Sequence, residues 1–174
     1  LDYLIQSRRA NGSLQENAVV IKSIVSTNMA KSIAEQNGVH LMDVLTGFKF
    51  IGEKIKEFES TNEYSFLFGF EESNGYLAGT YARDKDAIVA SMLIAEMACY
   101  YHLKQMNLYE ALNVLFEKYG FFEEQCVSIT IGGLNGLETM KGIMRNLRNN
   151  PPTAFAGLEI AKVRDYQSGK VKTR

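Results

Sequence analysis

Residues 68–75, Phe68-Gly69-Phe70-Glu71-Glu72-Ser73-Asn74-Gly75, close an apolar and aromatic run that begins at Tyr64. The run over 64–70 predicts a buried strand. At its end the chemistry switches to two carboxylates, a hydroxyl, an amide and a glycine. Carboxylates only accept hydrogen bonds, whereas Ser and Asn both donate and accept. A short loop with that set suits a ligand bearing adjacent hydroxyls, and Gly75 would let the backbone turn sharply after the contacts are made. Such a loop lies just beyond the carboxyl end of a strand, where α/β sheets bind their ligands. The competing reading is an ordinary strand-to-helix turn with solvated Glu side chains.

Outward from this stretch the chain alternates strands and helices. Residues 1–9 read as the end of a helix closed by Asn11-Gly12. The nearly continuous apolar run over 18–25 predicts a central strand. Ser26 and Thr27 are placed to cap a helix running to about Gln36. A second strand follows over 39–45, then an amphipathic helix through Phe58 and the strand at 64–70. Residues 86–106 are helical in pattern and apolar on most faces, which predicts a helix buried against the sheet. Another helix spans Leu108–Tyr119, a weakly alternating fourth strand 121–131, and a last helix 137–147. The fold class is therefore α/β, a mixed sheet of about four strands flanked by helices.

Asn149-Asn150-Pro151-Pro152 is the clearest boundary. It divides an α/β domain over 1–150 from a C-terminal stub over 151–174, a linker and the truncated start of a further domain. The strand-like stretch 155–163 has no partner after it, so the reading leaves an exposed edge and an expected dimer through that strand. The chain starts at Leu1, within a helical pattern and without Met, as a piece of something longer would.

Composition narrows the function classes. Nineteen Lys and Arg against twenty Asp and Glu give a net charge of −1, with both signs spread along the chain, so no nucleic-acid footprint exists. No apolar run is long enough to span a membrane, and no signal peptide is visible. Cys99 and Cys126 lie in apolar surroundings and read as buried reduced thiols, which favours the cytoplasm. His40 and His102 have no ligand at metal-binding spacing. Phosphate-loop, nucleophile-elbow and dinucleotide motifs are missing.

Two further stretches carry candidate chemistry. Thr46-Gly47-Phe48-Lys49 joins a strand to a helix, where Gly allows close approach and Lys49 offers a point charge to phosphate. The plain alternative is a helix start with a solvated lysine. Arg83-Asp84-Lys85-Asp86 precedes the long apolar helix, which Asp84 or Asp86 would cap. If the Glu-Glu-Ser loop folds back over that helix start, Arg83 and Lys85 stand beside its acceptors, an arrangement suited to a sugar bearing phosphate. Glu71 and Glu72 do not form a glycosidase pair, because adjacent residues of an extended loop point in different directions.

Together, Thr46-Gly47-Phe48-Lys49-Phe50-Ile51-Gly52, Gly69-Phe70-Glu71-Glu72-Ser73-Asn74-Gly75 and Arg83-Asp84-Lys85-Asp86 resemble the third domain of the α-D-phosphohexomutases. The likeness is greatest to the bacterial phosphoglucomutase branch, which also includes phosphomannomutase and phosphopentomutase activities. The resemblance implies a four-domain, Mg2+-dependent isomerase that interconverts glucose 1-phosphate and glucose 6-phosphate. A phosphoserine would donate phosphate to give a bisphosphorylated intermediate. It implies that Glu71 and Ser73 hold ring hydroxyls and that Lys85 lies near the substrate, with Glu72, Lys49 and Arg83 as further contacts. The family's phosphoserine loop, Asp-rich metal loop and Arg-Ser-Gly-Thr phosphate clamp are not found here, so no catalytic residue and no Mg2+ ligand is expected in this chain. The expected partners are a phosphosugar and the remaining domains of the same polypeptide. The alternative is a stand-alone α/β sugar- or protein-binding module that reuses the scaffold.

Overall fold

A computed structural model describes residues 1–124, 130–133 and 135–173. The chain forms two compact units, Leu1–Glu124 and Gln125–Arg174. In the first unit, α1 (Asp2–Ala10) leads into β1 (Ala18–Ser23), α2 (Met29–Gln36), β2 (His40–Val44), α3 (Phe48–Thr61), β3 (Ser65–Glu71) and β4 (Gly75–Leu77). Two helices, α4 (Ala87–Leu103) and α5 (Leu108–Tyr119), complete it. The sheet order is β2-β1-β3-β4, with β1 parallel to both neighbours and β4 antiparallel at the edge. This is the mixed four-stranded α/β sheet expected from the alternation of elements.

Every residue of β1 is buried. Its side chains alternate between two cores, as strand geometry requires. Val20 packs with Ile5, Met29, Ile33, Val39 and Tyr119 beneath α1, α2 and α5. Val19 and Ile21 pack with Phe48, Ile51, Ile55, Phe58 and Leu77 on the α3 side. Parallel strands covered on both faces have this near-continuous apolar character.

The structure departs from the sequence reading in five places. The first is the end of β3, where the chain does not pass from strand to helix. It folds into a tight hairpin, pairing Glu71 with Gly75 and Gly69 with Leu77. The three residues 75–77 are too short a run to register as a strand by periodicity. The left-handed position in this turn belongs to Asn74 (φ 62°), not to Gly75. Asn tolerates that conformation better than other residues with a Cβ.

The second concerns α4, which is apolar around most of its circumference yet largely exposed. Ile88 and Met92 are 75% and 66% exposed. α1, α2 and α5 already cover that face of the sheet, and α4 joins along the edge strand β4 and through Tyr101, packed with Tyr3 and Ala111. A cavity of about 550 Å³ lies between Leu93, Ile94 and Met97 on α4 and Phe68, Phe70 and Tyr76 on the sheet. Cys99, on the same helix, is a free and exposed thiol rather than a buried one. Cys126 lies outside the described residues.

The third departure is the start of α2, which comes later than expected. Asn28 holds the cap position, Thr27 Oγ1 accepts from the Met29 amide at 3.1 Å, and Ser26 is turned inward. The fourth is the expected strand 121–131: residues 121–124 are irregular, and 125–129 lie outside the described residues.

The fifth lies in the second unit. It contains α6 (Gly136–Asn149) and four short strands, β5 (Ala154–Phe155), β6 (Leu158–Glu159), β7 (Lys162–Asp165) and β8 (Lys170–Thr173). The stretch expected as one unpaired strand is thus divided. β5 pairs with β6 and β7 with β8, each antiparallel, so the stretch is paired within the chain rather than left as one lone strand. Gly157 (φ 81°) and Ala156 (φ 48°) form the left-handed turn that breaks the run.

Gly52 shows how closely the loop before α4 approaches α3. A Cβ there would meet the Arg83 carbonyl oxygen at 2.6 Å, a backbone atom with no rotamer to yield. Gly52→Ala is expected to destabilise the chain by about 1–3 kcal/mol. Urea denaturation should show a lower midpoint at unchanged slope, and an unchanged midpoint would mean the loop is free to move away.

Candidate functional site

The chemistry collects at the carboxyl ends of β1, β2 and β3. Glu71 is the last residue of β3 and is only 6% exposed. Its Oε1 accepts from the Gly47 amide at 2.6 Å. Gly47 precedes α3 with φ 119°, a left-handed-side conformation that favours glycine, and no side chain caps that helix. The Glu71 carboxylate therefore satisfies one amide in the β2–α3 connection and ties it to the hairpin.

Gly75 matters for space. A Cβ there would come within 3.3 Å of Glu71 Oε2, Lys85 Cδ and Phe48 Cδ2. The bare glycine lets the Lys85 stem and the Glu71 carboxylate close over the turn. The Lys85 ammonium pairs with Asp84 at 3.4 Å and lies 5.6 Å from the centroid of the buried Phe48 ring. The structure thus brings Lys85 to the Glu-Glu-Ser turn.

Arg83 is directed elsewhere. Its guanidinium is paired with Glu59 near the end of α3 and also donates to the carbonyls of Thr80 and Ala82. Lys49, in the first turn of α3, holds its ammonium 4.8 Å from the Phe50 ring centroid. Ser73 is exposed at the tip of the turn, beside Asn74. Glu72 is exposed too, but its Oε2 accepts from Ser23 Oγ at 2.7 Å.

Under the turn lies a group that sequence reasoning passed over. Lys22 is fully buried near the end of β1. Its ammonium pairs with Asp43 on β2 at 3.0 Å and donates to the carbonyls of Ser26 at 3.0 Å and Ser23 at 3.3 Å. Ser23 Oγ lies 2.8 Å from Ser26 Oγ. A charged residue inside an otherwise apolar strand, Ala-Val-Val-Ile-Lys-Ser, was the available signal, since a buried ammonium must find acceptors.

Asp86 caps α4, accepting from the amides of Ile88 at 2.8 Å and Val89 at 3.1 Å. The Tyr81 hydroxyl donates to its other oxygen at 2.7 Å. That hydroxyl first, and the helix amides next, hold the Asp86 carboxyl below its ordinary value, and Asp86 in turn raises the Tyr81 phenol. The Lys85 amide, and then its ammonium, lower the Asp84 carboxyl. Among the described residues, no group of three or more His, Cys, Asp or Glu side chains is arranged to hold a metal ion. No described helix is long and apolar enough to cross a membrane.

A family model described as phosphoglucomutase/phosphomannomutase, alpha/beta/alpha domain III, matches residues 2–119. The chain belongs to this family. The matched span lies within the first compact unit. The chain is 36% identical over 171 residues to the phosphoglucomutase of Staphylococcus aureus strain bovine RF122 / ET3-1, covering 98% of this chain and 30% of that protein. It is 35% identical over the same length to the phosphoglucomutase of strain MSSA476. It therefore spans about 30% of the length of the curated relatives it matches. A solved structure described as a putative phosphomannomutase from Thermus thermophilus aligns with a TM-score of 0.55 at 21% identity. That alignment covers 70% of this chain and 25% of that one and is a likeness of fold.

Two outcomes follow from this domain's geometry. Asp43→Ala would leave the buried Lys22 ammonium with carbonyl partners only and should cost about 2 kcal/mol in urea denaturation. Lys22→Met, which removes the charge at similar volume, should cost less, and equal losses would argue against a charge effect. Folding lowers the Asp86 carboxyl, so its contribution is present above the ordinary carboxylate value and is lost as pH falls from there through the lowered folded value. Tyr81→Phe should raise the Asp86 midpoint in a carboxyl-detected NMR titration toward the ordinary value. An unmoved midpoint would remove Tyr81 as the main cause.

Proposed function

We propose that this chain is the sugar-recognition domain of a cytoplasmic phosphosugar mutase that interconverts glucose 1-phosphate and glucose 6-phosphate. By this reading other domains of the parent protein supply a phosphoserine, a phosphate clamp and Mg2+, and the reaction passes through a bisphosphorylated sugar. No cluster among the described residues fits the metal, so no step of the reading runs through it here.

The observation that carries the proposal is the turn at residues 71–75. It stands at the carboxyl end of the parallel strands, its Glu71 is fixed by the Gly47 amide, and the Lys85 stem lies against Gly75. Glu71 keeps Oε2 for a ring hydroxyl while Oε1 holds Gly47. Ser73, at the exposed tip, donates to or accepts from a neighbouring hydroxyl. One acceptor and one hydroxyl that both donates and accepts suit two adjacent equatorial hydroxyls, whichever end of the sugar carries the phosphate to be moved. Lys85 supplies positive charge on the phosphate side, and a ligand phosphate would displace its exposed, weak contact with Asp84. Lys49 is a further contact in the same scheme, and Glu72 serves it through the turn, its Oε2 held by Ser23. Arg83, through Glu59, braces the loop that carries Lys85.

The test is a mutase assay on the full-length parent protein with Mg2+, comparing glucose 1-phosphate, mannose 1-phosphate and ribose 1-phosphate. Glucose 1-phosphate is expected to turn over best. Glu71→Ala should lower kcat/KM by roughly 10- to 100-fold, the range for one charge-assisted hydrogen bond. Turnover of no phosphosugar, or a silent Glu71→Ala, would move a stand-alone sugar- or protein-binding module ahead.

A further inference from the structure

Ser23 sits at the end of β1 with no exposed surface. Its hydroxyl touches two groups, Glu72 Oε2 at 2.7 Å and Ser26 Oγ at 2.8 Å. A hydroxyl has one proton, and a carboxylate can only accept. The Ser23 proton therefore goes to Glu72, and the Ser26 hydroxyl must donate to Ser23 Oγ. Ser26 is held in turn, because its carbonyl accepts from the Lys22 ammonium at 3.0 Å and that ammonium is paired with Asp43. Among the described residues, no buried side-chain nitrogen or oxygen lacks a partner, so the relay has no loose member.

This relay ends on the turn. Glu72 is joined to Glu71, which is bonded to the Gly47 amide, and precedes Ser73 and Asn74 at the tip. The hairpin is thus held on one side by the β2–α3 connection and on the other by the β1–α2 connection. We propose that Ser23, oriented by Ser26, is a positioning residue that clamps Glu72 and so sets the pose in which the turn presents Glu71 and Ser73 to the ligand. The inference rests on the sugar-binding reading of this turn. It assigns Glu72 a bracing role through its Oε2. It gives a sealed residue an effect on affinity, and because Ser23 cannot reach a ligand, any such effect must travel through Glu72.

The test uses the full-length protein and two readouts. In ligand-free protein, hydrogen exchange of the amides over 72–75 should speed up about tenfold in Ser23→Ala and equally in Glu72→Ala, as expected for the loss of one charge-assisted hydrogen bond. With glucose 1-phosphate, both variants should raise KM about tenfold and change kcat by less than about threefold. The double variant should be no worse than either single one, since both remove the same bond. Glu72→Gln, which keeps an oxygen acceptor for Ser23, should leave the exchange of the amides over 72–75 in ligand-free protein near wild type. Glu72 is exposed, so its variants probe the bond without disturbing the core. Unchanged exchange would overturn the clamp, whether or not the protein is active. Faster exchange with unchanged KM, or additive KM effects, would overturn its role in presenting the ligand groups. A wild-type protein that turns over no phosphosugar would refute the mutase reading instead, and the exchange arm would still decide whether Ser23 holds the turn.

Discussion

An ammonium group with no access to water constrains the whole carboxyl edge of the sheet. Lys22 lies on the central strand, whose neighbouring residues pack into apolar cores on both faces. A charge in such a place is tolerated only when paired and hydrogen-bonded. Its acceptors come from three segments: Asp43 on β2, the Ser23 carbonyl at the end of β1, and the Ser26 carbonyl in the following loop. Satisfying one cation therefore fixes where β2 ends and how the chain leaves β1. The Ser23 and Ser26 hydroxyls are placed by the same requirement, and the hairpin rests on them.

Two adjacent glutamates illustrate how a strand end divides labour. Successive side chains of a strand point to opposite sides. Glu71 goes inward to the Gly47 amide, and Glu72 turns to Ser23 on the neighbouring connection. Neither is poised against the other as an acid–base pair. Instead each carboxylate anchors a different loop, which leaves Ser73 and Asn74 at the exposed tip. The Lys85 stem completes the enclosure because Gly75 offers no Cβ in its way. A site built in this manner has its rigidity below and its adaptable groups above.

The differences between expectation and structure share a cause. Helix α4 has the composition of a buried element, but the face of the sheet it would cover is already occupied by α1, α2 and α5. Burial depends on which surfaces remain to be covered, and periodicity along one helix carries no record of that. The short strand β4 and the ribbons of 154–173 depend on cross-strand pairing through hairpin turns, which runs too short for periodicity do not reveal. Arg83 and Lys85 lie two residues apart, yet they diverge, one to Glu59 and the other to the turn. Their separation follows from how the loop crosses α3 at Gly52.

The sequence by itself determined the α/β class, the succession of the first three strands and their helices along the chain, and the motif at 69–75 that places the chain among the phosphoglucomutase and phosphomannomutase domains. These features are legible because strand and helix periodicity, and the switch from apolar to polar at a strand end, are local properties of the chain. Tertiary structure alone decided that the turn is a hairpin, that Glu72 is held by Ser23, and that a buried Lys22 lies beneath both. The last two rest on contacts between residues 21 and 49 positions apart, brought together only when three strands align side by side. A carboxylate reads the same in sequence whether it faces water, an amide or a hydroxyl. Which of these it meets is set by the neighbouring loops.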